Sequence, residues 1–265
     1  MINKYEVEEL KKNKDKYTVV IEKNKFNITE DVVLKFNLFV GKNLKEDEYF
    51  EFVDFVEYNT LLLKTLKYIA YQARSEKEIN VYFKKHDINQ KIKDKVFNVL
   101  IEYKYINDVE LAKSIYEYEK NVKKKGPKAI EQKLLLKGIS KEKFKDLITS
   151  YDATLHLANI EYIIEKEIKK NQKFPIKKRK KIIIEKLVRD GFSRDLIYDK
   201  VENIEIEDES YPELLKEVER LKKKYSKDKD FQARQKIINN LMNKGFEYSL
   251  ITKALSSDNF YSFDE

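Results

Sequence analysis

No cysteine or tryptophan occurs in the 265 residues, and only 5 glycines and 3 prolines punctuate the chain. Without cysteine there are no disulfides, no thiolate zinc sites and no thiol nucleophile, which suits a reducing compartment. So few glycines and prolines argue against a sandwich or barrel, whose many turns need them. Long apolar runs are missing too. The longest aliphatic ones, such as Leu61–Leu63 and Ile182–Ile184, are three residues, where a membrane span needs about 20. The opening Met1-Ile2-Asn3-Lys4-Tyr5-Glu6 leads into charge rather than an apolar stretch. No secretory signal and no membrane partner are therefore expected, and the cytoplasm follows by elimination.

Chemistry is equally sparse. The 2 histidines, His86 and His156, lack an HxxxH or HxxE partner, and both read as structural or surface residues. There is no GxSxG, Walker loop or GxGxxG. Acid pairs are plentiful, as 38% charged residues dictate, so none stands out as a general acid. The expectation is a non-enzymatic protein with no cofactor and no metal.

What the chain does have is abundant Lys, Leu, Ile and Glu, which favours helix. The net charge of +8 is striped rather than uniform. Residues 1–57 carry 10 Lys against 13 acids, residues 166–189 hold 11 basic and 2 acidic groups, and residues 202–219 hold 8 acids and one Lys. Near the start, the β-branched run Tyr17–Ile21 is followed by Asn24-Lys25 and Phe26–Ile28, the pattern of a small hairpin. Thr29-Glu30-Asp31 then reads as the N-cap of a helix ended by Gly41. A second acidic start at Lys45–Glu48 opens a long amphipathic stretch through Phe52, Phe55 and Val56. Residues 1–57 are expected to form an α+β cap, with strand confined to about the first thirty residues.

The remainder repeats. Gly138, Gly191 and Gly245 each follow a helical stretch and precede an apolar residue. Four residues before them stand Leu134, Leu187 and Leu241, and eight before stand Ile130, Ile183 and Ile237. The same frame fits Ile79 and Phe83, with Asp87 in the glycine's place. Positions −8 and −4 share one helical stripe, and the glycine supplies the left-handed stop. Ser75-Glu76-Lys77-Glu78 is a capping box, and Pro127 and Pro175 suit helix starts. The fold expected is mainly α, about four tandem three-helix units: residues 58–107, 108–151, 152–210 and 211–265.

Two basic clusters precede helices: Lys177-Lys178-Arg179-Lys180-Lys181, and Lys123-Lys124-Lys125 with Lys128. One reading is solvated helix starts in a lysine-rich chain. Yet cations at a helix N-terminus oppose its dipole, which favours an anionic partner, either phosphate or an acidic protein surface.

Three stretches resemble the RecX family. Ala73-Arg74-Ser75-Glu76-Lys77-Glu78-Ile79 is similar to its R-S-E-x-E-L segment, and Tyr105–Ala112 to the junction that follows. Lys125-Gly126-Pro127-Lys128-Ala129-Ile130, with Leu135–Ile139, is similar to its G-P-x-x-(I/L)…L-x-x-K-G-I segment. They fall in the family's order from Ala73 to Ile139. The later units fit the generic frame, as in longer members from low-GC Gram-positive bacteria. Departures are mild: Asp87 replaces a usual glycine, and a frequent second arginine before Arg74 is missing.

The resemblance implies an elongated monomer that lies along the RecA–DNA filament and inhibits strand exchange and ATP hydrolysis. It carries no catalytic residue, and within it Asp108 reads as a helix cap. The candidate contacts are the two lysine clusters and Arg74, with RecA as partner and DNA reached through phosphates. Direct, non-sequence-specific DNA binding and a scaffold for an unrelated acidic protein are the alternatives.

Overall fold

The computed structural model describes residues 4–257; among them are four strands and thirteen α-helices. Residues 258–265, the end of the fourth expected unit, lie outside the described residues. The first strands are β1 (Lys4–Asn13), β2 (Lys16–Ile21) and β3 (Asn24–Ile28). After helix α1 (Glu30–Lys35) comes β4 (Asn43–Lys45), which completes an antiparallel sheet in the order β3-β2-β1-β4. The expected hairpin is present, but strand is not confined to the first thirty residues, because β4 pairs with the start of β1.

β1 escapes an alternation test for a physical reason. Val7 pairs with Ile21 while Glu9 pairs with Val20, so Glu8 is an extra residue, a β-bulge. The bulge puts Val7 and Leu10, three apart, on the face of Ile21 and Val19. A spacing of three reads as helix, not strand.

Helix α1 also differs from expectation. Thr29 is its N-cap but makes no side-chain cap bond; its hydroxyl instead accepts from Asn59 Nδ2 at 2.6 Å. The helix ends before Phe36, with Asn37 left-handed at φ 46°, while Gly41 (φ 88°) belongs to the next turn, where its amide meets the Val7 carbonyl. Asparagine visits that region more readily than most residues.

Helix α2 (Glu46–Tyr71) starts with Glu46, Asp47 and Glu48, which complement its dipole. It runs about 39 Å at 1.5 Å per residue, without interruption through residues 57 and 58. Tyr49, Phe52 and Val56 join the cap core with Val19, Ile21 and Phe36, while Leu61 joins Ile79, Phe83, Val96 and Leu100.

The helices then come in threes. The later half of α2 is followed by α3 (Glu76–Phe83) and α4 (Gln90–Glu102). Next come α5 (Asp108–Glu117), α6 (Pro127–Leu136) and α7 (Lys145–Thr149), then α8 (Ala153–Lys170), α9 (Ile176–Arg189) and α10 (Arg194–Glu202). The last are α11 (Tyr211–Lys224), α12 (Asp230–Asn243) and α13 (Tyr248–Ser257).

Every residue at positions −8 and −4 of the glycine frame is buried, as are Ile139, Phe192 and Phe246 just after it. Gly138, Gly191 and Gly245 all have positive φ. Behind Gly191 the Phe192 amide reaches the Leu187 carbonyl, and behind Gly245 the Phe246 amide reaches that of Leu241. With the Gly191 and Gly245 amides bonded to the Val188 and Met242 carbonyls, this is the paired hydrogen-bond pattern that closes a helix around a left-handed residue. Asp87 does not adopt that conformation; α3 closes instead through amides of Lys84, Lys85 and His86 bonded to carbonyls in its last turn.

By contacts the described chain forms two compact units. One holds the residues up to Ala112 with Leu135–Lys143, the other Lys113–Leu134 with Phe144 onward.

Deletion of Glu8 tests the bulge. Without the extra residue, Val7 and Leu10 cannot both face the cap core. We expect a loss of about 1.5–3 kcal/mol, the value of one buried aliphatic side chain, in denaturant unfolding. Unchanged stability would mean that the register of β1 is not fixed by the bulge.

Candidate interaction surfaces

The glycine turns do more than stop helices. Gly191, at the end of α9, sits against the start of α6: a Cβ added there would meet the Ala129 nitrogen at 2.2 Å. The Gly126 amide donates to the Asp190 carbonyl at 2.7 Å, and the Lys128 amide to that of Gly191 at 3.2 Å. Orphan amides at one helix start thus meet orphan carbonyls at another helix end, and the two dipoles run head to tail. Gly126 is needed for this approach, since its own Cβ would lie 2.6 Å from the Gly191 carbonyl group.

The same junction occurs at the start of α3. The Ser75 hydroxyl accepts from the Glu78 amide at 3.2 Å and donates to the Lys137 carbonyl at 2.6 Å. Glu78 closes the expected capping box and also holds Lys137 Nζ at 2.7 Å. A Cβ on Gly138 would collide with the Lys77 side chain. Asp108 does not cap its own helix, a task that falls to Asn107. Buried, it accepts from the Glu76 amide at 3.0 Å and from Lys143 Nζ at 3.2 Å, so it caps α3 across the junction. A third, looser contact sets Gly245 against Lys177 and Lys178, its added Cβ 3.6 Å from each.

These junctions consume part of the expected basic surface. Lys125 Nζ lies 2.6 Å from the buried carboxylate of Asp190, which also holds Lys186. Arg179, expected at the surface, is 1% exposed. Its guanidinium donates to the carbonyls of Phe174, Gln172 and Glu207 at 2.6, 2.5 and 3.2 Å, so it ties the α8–α9 turn to the acidic segment before α11. Lys180 donates to the Glu202 carbonyl at 3.0 Å. Arg74 is mostly buried over the Tyr68 ring, 4.4 Å from its centroid, beside Glu78. Of the Lys177–Lys181 cluster, whose side chains were expected to be mostly solvated, Lys177, Lys178 and Lys181 are exposed, Lys180 is half-buried and Arg179 is buried. Of the other cluster, Lys123 and Lys128 are exposed and Lys124 is half-buried.

The histidines are packing residues. His156 lies between Tyr151 and Phe192, and burial pushes its pKa down. His86 packs edge-on to Tyr82, its pKa lowered by burial and then by Lys64 and Lys93. Among the described residues no group of three His, Asp or Glu side chains is placed to hold a metal ion, and no helix is long and apolar enough to cross a membrane.

This architecture has known counterparts. The family model for the third three-helix domain of RecX matches residues 207–255. A regulatory protein RecX from Listeria monocytogenes serotype 4a (strain HCC23) is 33% identical over 259 residues, covering 96% of each chain. One from Streptococcus agalactiae serotype III (strain NEM316) is 31% identical over 94% of this chain and 98% of its own. A crystal structure of a regulatory protein RecX matches with a TM-score of 0.58 at 22% identity, covering 76% of this chain and 100% of that one.

Two measurements probe the junctions. Gly191→Ala should cost about 2–4 kcal/mol, since left-handed strain is compounded by collision with the α6 backbone. Gly245→Ala, whose Cβ would make only ordinary van der Waals contact with Lys177 and Lys178, should cost only the strain, about 1 kcal/mol. Equal losses in thermal unfolding would show that the close approach carries no energy.

Glu78→Gln keeps the cap and removes the charge. Burial pushes the Glu78 carboxyl up, but Lys137, the Ser75 amide and Arg74 outweigh it and hold its pKa below the ordinary value. Its folded pKa being the lower, the ionised group stabilises the fold above the ordinary carboxylate range. That contribution fades as pH falls through the depressed value. The variant should be less stable by about 1 kcal/mol at neutral pH, with the gap closing in acid. A pH-independent gap would assign the loss to shape rather than charge.

Proposed function

The chain belongs to the RecX family of regulatory proteins, and we propose that it binds RecA recombinase filaments on DNA and restrains their ATP hydrolysis and strand exchange. The observation that carries this reading is likeness along nearly the whole chain: a relative bearing the regulatory name shares 33% identity over 96% of both sequences. Regulation of this kind needs binding surface rather than catalytic groups.

The cations left over by the junctions supply one such surface. Lys177, Lys178 and Lys181 project from the first turns of α9 and are exposed. Lys178 lies 3.8 Å over the Phe174 ring, which steers it along the surface. Lys123 and Lys128 supply a second set near the start of α6. A filament of protein wound on a polyanion offers phosphate and carboxylate to both. Several weak contacts along one filament add through effective concentration.

The test is charge reversal restricted to displayed residues. Lys177→Glu, Lys178→Glu and Lys181→Glu together should leave the helix content unchanged, because acids suit a helix start and Arg179 is kept. RecA ATPase on single-stranded DNA should then need about tenfold more protein for half-inhibition, at on the order of 0.5 kcal/mol per lost contact. The salt dependence of inhibition should flatten as well. Superimposable inhibition curves across the salt series would place the contact on another face.

A further inference from the structure

Between α5 and α6 the chain makes a π-helical turn, Tyr118–Val122, followed by Lys124 in the left-handed conformation at φ 56°. Such wide turns are rare and tend to mark functional sites. This one is firmly held. The Lys125 amide bonds the Glu119 carbonyl at 2.9 Å, and Asn159 on α8 bonds the Lys120 carbonyl at 3.1 Å. Tyr151 joins the anchor, its hydroxyl donating to the Lys125 carbonyl at 3.0 Å. The turn is thus tied down at three points, with Tyr118, Asn121 and Val122 exposed.

One exposed tyrosine opens the turn and a second lies on α8, within reach of Lys124 from the turn's end. Tyr118 is 47% exposed and Tyr162, on α8, 51%. The adjacent Lys123 and Lys124 reach one ring each, at 5.5 and 5.9 Å from the centroids, and Lys166 reaches Tyr162 at 6.0 Å. These distances are at the outer limit of cation–π attraction, so the ammonium groups are loosely held and can swing to another anion. Three nearby carboxylates are already engaged, Glu117 by Lys120 and Asn121, Glu119 by Lys133, and Glu161 by Lys200, which leaves Glu165 as the exposed acid beside Tyr162 and Lys166. Along α8 the same exposed side continues through Lys166, Lys169 and Lys170, about 12 Å of helix beyond Tyr162.

We propose that Tyr118 and Tyr162, with Lys123, Lys124 and Lys166, form a stacking site for single-stranded nucleic acid. Exposed aromatic faces interleaved with mobile cations match a strand whose bases are unstacked and whose phosphates are spaced along its length. A duplex offers only the phosphates, because its bases are already stacked. The site therefore prefers single strands and reads no sequence. Binding here is a property of the chain alone and does not rest on the recombinase reading.

The experiment is anisotropy of a labelled oligothymidylate and of a duplex of equal length, with the full chain and no recombinase. The wild-type chain should bind the single strand more tightly. Tyr162→Ala and Tyr118→Ala should each weaken that binding about tenfold while leaving the duplex unaffected, and Tyr162→Phe should retain it. Lys123→Glu with Lys124→Glu should weaken both and lower the salt slope. Both rings are half exposed, so the alanine variants should keep the wild-type circular dichroism. Failure of the wild-type chain to bind the single strand, or alanine variants that bind it as wild type does, overturns the site. Equal losses on strand and duplex overturn it as well.

Discussion

The structure depends on how one helix end meets another helix start. Each α-helix leaves four amides and four carbonyls without partners, and burying either end unpaired is expensive. At α9 and α6 the two deficits cancel. The Asp190 and Gly191 carbonyls receive the Gly126 and Lys128 amides, and opposite ends of two dipoles come together. That arrangement requires backbone-to-backbone approach, which fixes the residue types. Glycine stands on both sides where α9 meets α6, and a serine small enough to bond in both directions stands where the Lys137 turn meets α3. The repeat period is the distance between successive junctions, and the buried −8 and −4 positions are the stripe that brings each helix to its mark.

Charge placement follows from the same constraint. Asp190 closes α9 at its negative end, a poor place for an acid. Lys186 from its own helix and Lys125 from across the junction make the buried carboxylate tolerable. Lys125 in turn opposes the dipole of α6, and Asp190 offsets it. Each charge is unfavourable on its own helix and favourable across the contact. Such a pair adds little net stability but penalises mispairing. Asp108 acts likewise, buried beside Lys143 and capping a helix thirty-two residues earlier in the chain.

How much of this was legible varies with range. The capping box at Ser75 and Glu78, the glycine stops and the inward leucines are local patterns, and sequence alone located them. The family resemblance rested on the same residues. β1 was hidden because a bulge turns its alternation into a spacing of three, and a single strand shows no bulge until its partner is known. The role of Asp108 was hidden because its acceptor geometry points out of its own helix. Arg179 was different, since the signal was present. It lies four residues before Ile183 and eight before Leu187, on the stripe that predicts both to be buried. Surrounding lysines disguised it, although a planar guanidinium with five donors is the one basic group that can satisfy itself among carbonyls.

The candidate surfaces obey a corresponding rule: what the junctions consume is not available to a partner. Lys125, Arg179, Lys180 and Arg74 have internal partners, so their charge belongs to the fold. Lys177, Lys178 and Lys181 on α9 are presented to solvent, while Lys123, Lys124 and Lys166 reach only exposed rings. A count of basic residues along the sequence cannot make that division, because both classes occupy neighbouring positions in the same clusters. The helix surface makes it through the 3.6-residue period, turning Arg179 into the core while its neighbours at Lys178 and Lys181 face out. A lysine-rich helix start is thus divided in two, with one face closing the turn before it and the other open to solvent.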